Sequence, residues 1–454
     1  MTEAWTSRLR FTSGLKYQVI ADALVAAIQS GELRAGDRLP PQRELAARLK
    51  VDLTTVTRAY DLVRQRKLIV ANGRAGSFVA ESKPVSARVL ASVDSGMNMP
   101  PELPGNMIGR AIAETSASIL LGENPAELQY QPAGGSELDR QTGAQLLTQS
   151  GLKSDQEQIV ITAGGQNALH AILSANFAPG DALACGVHVY PGFKSLAKRL
   201  GLKLIALPEF SADAIKYAAS RDGITGVYVV PTNDNPTART LSLEERRNIT
   251  EVVGEAGLKI VEDDAYGGLA EQPIPTLASL LPEQTWHIAS TSKLISPVLR
   301  VAFVRAPSVS AAIRLADDVH ETAIMAPPLN VAILRRWIQD GTYDQLIRTM
   351  RVETSRRQGF AREALEGASY ASHPQGYHLW LQLPPGVSEQ DLADQSRDSS
   401  LTVVPSSRFA VGEAQEQAVR VSLGGLLDIE RLTRGLRLLA ARASAQAGRS
   451  PALV

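Results

Sequence analysis

Cysteine is almost missing from this chain: 454 residues hold one, Cys185, which cannot form an intrachain disulfide. No group of Cys and His has the spacing of zinc ligands, so no metal site is expected. Cysteine poverty fits a reducing compartment. The first residues, MTEAWTSRLRF, lack the apolar stretch of a signal peptide. No uninterrupted apolar run approaches the ~20 residues of a membrane helix. These absences together predict a cytoplasmic protein with no membrane partner. Net charge is also absent, with 47 Lys and Arg against 47 Asp and Glu.

The zero hides an asymmetry. Residues 1–83 carry 14 basic against 8 acidic side chains, and the remainder carries 33 against 39. A basic end on an acidic body is the charge pattern of a nucleic-acid module joined to a different kind of domain. A composition that is 44% apolar and 21% charged is ordinary for a globular protein. The length calls for two or three domains.

In residues 16–30, Val19, Ile20, Ala23, Leu24, Ala27 and Ile28 form one stripe at helical spacing. Gly31 stands where a helix would end. After the turn ELRAGDRLPP, Pro41 suits the first turn of a second short helix, QRELAARL, with Leu45, Ala46 and Leu49 inward. The stretch LTTVTRAYDLVRQRK reads as a third helix, with Val56, Ala59, Tyr60 and Val63 inward. Its other side offers Thr54, Thr55, Thr57 and Arg58, groups suited to phosphates and base edges in a major groove. Next comes LIVANGRAGSFVA, two β-prone runs around a turn that carries Arg74. The order predicts a winged helix-turn-helix.

Residues 17–69 resemble the GntR family of bacterial regulators. The likeness lies in the turn Gly31 to Pro40, in Arg43, Leu45 and Ala46, and in the V-x-x-x-T-V-x-R-A-Y pattern from Val51 to Tyr60. It implies a winged-helix domain over 13–80 that binds a double-stranded DNA operator through Arg43, Thr55, Thr57, Arg58 and Arg74. Residues 81–106 are rich in Pro, Ser and Gly. They read either as a connector or as an N-terminal arm packed on the large C-terminal domain.

From about 107 to 445, β-prone runs (QIVIT, ALACG, GVYVV, LKIVE, WHIAS) alternate with helical patterns. The alternation predicts an α/β fold with a mostly parallel sheet, whose ligands sit beyond the carboxyl ends of strands. Five segments come directly after such runs. Gly164-Gly165-Gln166 precede a helix whose free N–H groups suit a phosphate. Tyr190 offers a flat face. Asn235-Pro236 is a turn with a polar side chain. Glu262, Asp263 and Asp264 suit either magnesium or a protonated ring nitrogen. Ser290-Thr291-Ser292-Lys293, with Arg300 beyond, places an amine among hydroxyls.

The order and spacing of these segments resemble the fold-type I enzymes of pyridoxal 5'-phosphate (PLP), the aspartate aminotransferase superfamily. The resemblance implies that Lys293 forms the internal aldimine and that Asp263 keeps the pyridinium nitrogen protonated. It implies that Asn235 and Tyr266 bond the ring hydroxyl, and that Tyr190 stacks on the ring. Gly165, Gln166, Ser290 and Arg300 would hold the phosphate, with Tyr130 reaching a phosphate in a neighbouring subunit. Arg420, in VRVSLGG, would grip a substrate carboxylate. Two stretches depart from the family pattern: Ala238-Arg239 where glycine is common, and Gly186-Val187-His188 before Tyr190.

Both halves together resemble the MocR subfamily. That implies a homodimer, head-to-tail, which senses an amine, an amino acid or PLP through a Schiff base at Lys293. A working aminotransferase and a sensor without PLP are the alternatives.

Overall fold

The structure, a computed structural model, describes residues 4–7, 9, 15–29, 32–33, 36–65, 68–71, 76–80, 96–122, 125–399, 401–412 and 416–447. The chain divides into two compact units, Met1–Asp94 and Ser95–Val454. Residues 96–106, the end of the stretch read above as either a connector or a packed arm, fall in the second unit and pack there, with Asn98 and Leu103 buried.

In the first unit α1 (Ala4–Ser7), α2 (Lys16–Gln29), α3 (Gln42–Leu49) and α4 (Leu53–Gln65) surround one core. Ile20 and Leu24 of α2 meet Leu45 of α3 and Val56, Tyr60 and Val63 of α4, all fully buried. Trp5, ahead of the expected domain start at residue 13, is buried in the same cluster. A lone tryptophan carries no periodicity, so pattern reading passes over it. Pro41 stands one residue before α3, as its N-cap.

The wing is the hairpin β1 (Ile69–Ala71) and β2 (Ser77–Val79), paired antiparallel from Ile69 opposite Val79. Backbone bonds from Leu39 N to Ser77 O (2.8 Å) and from Val79 N to Asp37 O (2.9 Å) fasten it to the turn before α3. The Tyr60 hydroxyl donates to the Pro40 carbonyl at 2.9 Å, tying α4 to that turn. Tyr60→Phe should lower the unit's stability by about 1–2 kcal/mol, because it orphans a shielded carbonyl. Urea unfolding followed by circular dichroism checks this; an unchanged midpoint would show that water replaces the hydroxyl.

The second unit is built on a seven-stranded sheet of order β3-β9-β8-β7-β6-β4-β5. Its strands are β3 (Ile159–Thr162), β4 (Ala182–Gly186), β5 (Lys203–Leu207), β6 (Gly226–Val229), β7 (Lys259–Asp263), β8 (Thr285–Ser290) and β9 (Ala302–Arg305). Neighbours run parallel except where β9 meets β3 and β8. The fold class is α/β, as the alternation implied. Near-continuous apolar strands such as GVYV are buried on both faces, which parallel sheets require. Two of the seven, β5 and β9, had not been read from the sequence.

A four-stranded antiparallel sheet, of order β10-β11-β13-β12, was not expected either. It comprises β10 (Tyr370–Ser372), β11 (His378–Gln382), β12 (Val403–Pro405) and β13 (Ala418–Ser422). No described helix is long and apolar enough to cross a membrane.

Candidate functional site

Strand direction gathers the candidate residues. β3, β4, β6, β7 and β8 all point their carboxyl ends to one edge of the large sheet, and the five segments leave from there. Because β9 runs the other way, its first residue, Ala302, lies opposite both Thr162 and Ser290. Arg300, two residues earlier, therefore arrives at the same edge.

The helix Gly165–Asn176 opens directly after β3, with Gly164 as its N-cap at φ +85°. A Cβ on Gly164 would stand 3.2 Å from the Arg300 Cζ, and one on Gly165 would stand 3.4 Å from the Ser290 hydroxyl. Free N–H groups, a hydroxyl and a guanidinium thus share a close space, where the positive φ of Gly164 also disfavours a side chain. Arg300 donates to the Ala163 carbonyl at 3.1 Å, which fixes its head beside the helix start. Gln166 donates weakly to the Gly192 carbonyl at 3.4 Å, linking this helix to the one that begins after Tyr190.

Lys293 lies in the turn after β8. Its Nζ donates to the Asn98 carbonyl at 2.6 Å, while its own carbonyl accepts from the Tyr377 hydroxyl at 2.9 Å. Burial, reinforced by the Arg420 guanidinium, pushes the amine down to about 8, with Asp263 pulling the other way. Asp263 ends β7. Burial pushes its carboxyl up to about 6, although Tyr228 donates to Oδ2 at 3.0 Å. The Tyr228 ring stacks on Phe193, with centroids 3.7 Å apart and planes 9° apart, so the hydroxyl's aim is locked.

Arg420, on β13, is 2% exposed. It donates to the Asn235 side chain at 3.0 Å and to the Gly96 carbonyl. The antiparallel sheet also brings in His378, whose Nε2 lies 2.9 Å from the Asp234 carbonyl. A carbonyl only accepts, so Nε2 carries the hydrogen. Burial holds the ring's pKa down to about 3, and it stays neutral. Nδ1 is then an acceptor, and the Asn98 Nδ2, at 3.1 Å, donates to it. The same Nδ2 donates to the Tyr266 hydroxyl at 3.1 Å. Burial pushes the Tyr266 hydroxyl up to about 12, so it keeps its proton, which points elsewhere.

Gly165, Gln166, Asn235, Asp263, Tyr266, Ser290, Lys293, Arg300 and Arg420 are thus linked through one edge, with Tyr190 at the head of the next helix. Tyr130 stands apart, 80% exposed. Asn98, Tyr228, Tyr377 and His378 were not picked out from the sequence. Asn98 sits in a stretch that read as connector or arm, and the other three sit in strands or turns with no motif around them.

The donor set fits PLP. A dianionic phosphate matches the Gly165 helix start, Ser290 and Arg300. A protonated ring nitrogen would supply the counter-charge that buried Asp263 lacks. Asn98 Oδ1, Gln166 Oε1 and Ser292 Oγ are buried without a partner, as groups awaiting a polar ligand would be. Among the described residues, no group of three or more His, Cys, Asp or Glu is placed to hold a metal ion.

In the first unit Arg43 and Arg58 are exposed on α3 and α4, and Thr55 is partly exposed. The Thr57 hydroxyl lies 2.8 Å from Gln42 Oε1 on α3 and 3.0 Å from the Leu53 carbonyl on α4, so its hydrogen goes to one of these two acceptors. Arg58 lies over the Tyr17 ring at 5.5 Å. Arg74 lies outside the described residues.

The family described as "Aminotransferase class I and II" matches residues 96–439, and "Bacterial regulatory proteins, gntR family" matches 16–79. The chain is 30% identical over 431 residues to the HTH-type transcriptional regulator YdeF of Bacillus subtilis, covering 93% of each chain. It is 26% identical over 432 residues to the vitamin B6 salvage pathway transcriptional repressor PtsJ of Salmonella typhimurium, covering 90% of this chain and 95% of that one. The alpha-aminoadipate aminotransferase LysN of Thermus thermophilus, solved with N-(5'-phosphopyridoxyl)-L-leucine, superposes with a TM-score of 0.69 at 25% identity. That match covers 78% of this chain and 92% of LysN. The chain belongs to the class I and II aminotransferase family through its second unit and to the gntR family through its first, the two-part build of the MocR-type transcriptional regulators.

Proposed function

We propose that this chain is a PLP-dependent transcriptional regulator, in which an amine or amino acid captured at the Lys293 site changes the affinity of the winged helix for its operator. The observation that carries the reading is the Lys293 amine. It is lowered to about 8 between Asp263 and Arg420, in a chain whose other unit belongs to a family of DNA-binding regulators.

When bound, the cofactor supplies an aldehyde for covalent capture of amines and a ring that withdraws electrons. The chain's own residues do the rest. Lys293, neutral in a useful fraction near pH 7, would be the amine that holds the cofactor. The Gly165 helix start, Gln166, Ser290 and Arg300 would hold the phosphate. Asp263, steadied by Tyr228, would hold the ring nitrogen, and Tyr190 would pack on the ring. Tyr266 and Asn235 would bond the ring hydroxyl. Arg420 grips the carboxylate of an amino-acid effector. Tyr130, exposed on this chain, serves the neighbouring subunit of a head-to-tail homodimer. The site acts in the cytoplasm, where its operator is.

Two conformations with unequal affinity for the effector are enough to transmit the signal. The supporting result is salt-sensitive binding to the DNA upstream of its own gene that changes when PLP and amino acids are added. Rapid conversion of an amino acid with an oxo-acid acceptor, without any change in DNA affinity, would instead establish a transaminase. Arg58→Ala should weaken operator binding by about 1–3 kcal/mol, roughly five- to 150-fold, and leave the cofactor's absorbance unchanged. Fluorescence anisotropy checks this; unaltered affinity would move the reading face off α4.

A further inference from the structure

We propose that the cavity between the carboxyl ends of β4, β5 and β6 and the loop after β6 is a second small-molecule site, separate from Lys293, which takes a protonated primary amine with a small aliphatic body.

The cavity measures about 210 Å³. An apolar cavity of about 150 Å³ already holds benzene, so a molecule of that size fits. Gly186 ends β4, Leu207 ends β5 and Val229 ends β6, and all three line it, with Val187, Phe210 and Leu241 adding apolar surface. Parallel sheets place ligands at such strand ends. The wall is fixed by backbone bonds: Val189 N donates to the Phe409 carbonyl at 3.0 Å, and Val411 N donates to the Val187 carbonyl at 2.8 Å.

Both stretches that depart from the pattern of the fold-type I enzymes come to this cavity. Gly186, Val187 and His188 line it, and so does Arg239. Neither stretch supplies a side chain to the linked set around Lys293. Tyr228 joins the two places: it lines the cavity, while its hydroxyl donates to Asp263 at 3.0 Å. An occupant therefore packs against the side chain that steadies Asp263.

The polar groups set the sign of the ligand. His188 is 5% exposed, and its Nε2 is buried without a partner. Burial holds the ring below the usual histidine range, although Glu416 and Glu389 pull it up, so it is neutral at pH 8. With the hydrogen on Nδ1, Nε2 is a bare acceptor. The ring packs on Trp380, with centroids 5.1 Å apart. Two carboxylates, Asp234 and Glu416, line the same cavity. Burial pushes Asp234 up to about 6, so it is charged above neutrality. Glu416 accepts a long bond from Gln382 Nε2 at 3.4 Å. The Arg239 guanidinium is paired with Glu245. An occupant thus meets two carboxylates and a lone pair. An ammonium brings three N–H donors and the opposite charge. A carboxylate would meet like charge.

Calorimetry on the full-length chain at pH 8, where an alkylammonium keeps its proton, tests the site. Loading with PLP and fixing with borohydride first closes Lys293 to other amines. 3-Methylbutan-1-amine should then bind roughly tenfold or more tightly than 3-methylbutan-1-ol, and 3-methylbutanoate should not bind. Glu416→Gln should weaken the amine roughly tenfold or more. His188→Phe, which keeps a ring against Trp380 but removes Nε2, should weaken it roughly fivefold or more; should that variant not fold, Glu416→Gln decides alone. Equal affinity for amine and alcohol, tighter binding of the carboxylate, or no binding of the amine at concentrations on the order of 10 mM would overturn the proposal. Amine binding that the folded variants leave unchanged would place the ligand elsewhere and overturn it too. If borohydride fixes no label, the cofactor reading fails by itself. The same titration on the unlabelled chain then decides this site, because without an aldehyde Lys293 cannot capture an amine.

Discussion

Cofactor capture should speed up about fivefold between pH 7 and pH 8 and less than twofold between pH 8 and pH 9, if the neutral Lys293 amine is the reacting species. The direction comes from burial. A lysine whose charged form is disfavoured by desolvation and by Arg420 loses its proton near pH 8. At pH 7 about a tenth of the chains then carry a neutral amine, against roughly one in three thousand for an ordinary lysine. An ordinary lysine would instead gain about tenfold per pH unit through pH 9. Stopped-flow absorbance after mixing with PLP separates the two profiles. Lys293→Ala should lose covalent attachment altogether, read as the absence of any borohydride-fixed label. A label of wild-type yield on another lysine would remove Lys293 from the reaction.

Arg420→Lys should weaken the response to carboxylate-bearing amines by roughly ten- to a hundredfold, although it keeps the charge. A guanidinium presents parallel N–H groups in a plane, and here they reach Asn235 and Gly96 on different segments. An ammonium is a single point and cannot hold both. The loss should therefore extend beyond the effector: Asn235 is set free, and the cofactor's absorbance band should shift. Titration with an amino acid and with the corresponding decarboxylated amine separates the effects. Equal weakening for both ligands would mean that Arg420 only organises the site and does not read the carboxylate.

Most of this architecture is legible in the residue pattern, for identifiable reasons. Stripes such as Ile20, Leu24 and Ala27 report helix faces because side chains recur every 3.6 residues. Strand runs such as GVYV report a sheet buried on both faces. The segments at Gly164, Asn235, Asp263 and Lys293 could be ordered because each comes after a strand, and parallel strands deliver their ends to one edge. Residues that serve the site through register alone were not legible. His378 arrives from a second sheet, where it pairs with Ser422, and nothing local marks it. Arg420, on the same sheet and paired with Trp380, was legible only through the resemblance carried by VRVSLGG.

The chain's division of labour, a basic reader before an acidic α/β body, was determined by the sequence alone, through charge, periodicity and turn chemistry that act over a few residues. Only the tertiary structure decided that Asn98 would lie against Lys293, 195 positions away, and that Arg420 would hold Gly96. Such contacts are set by how whole sheets pack, and a hydrogen bond between distant segments leaves no periodic trace in either.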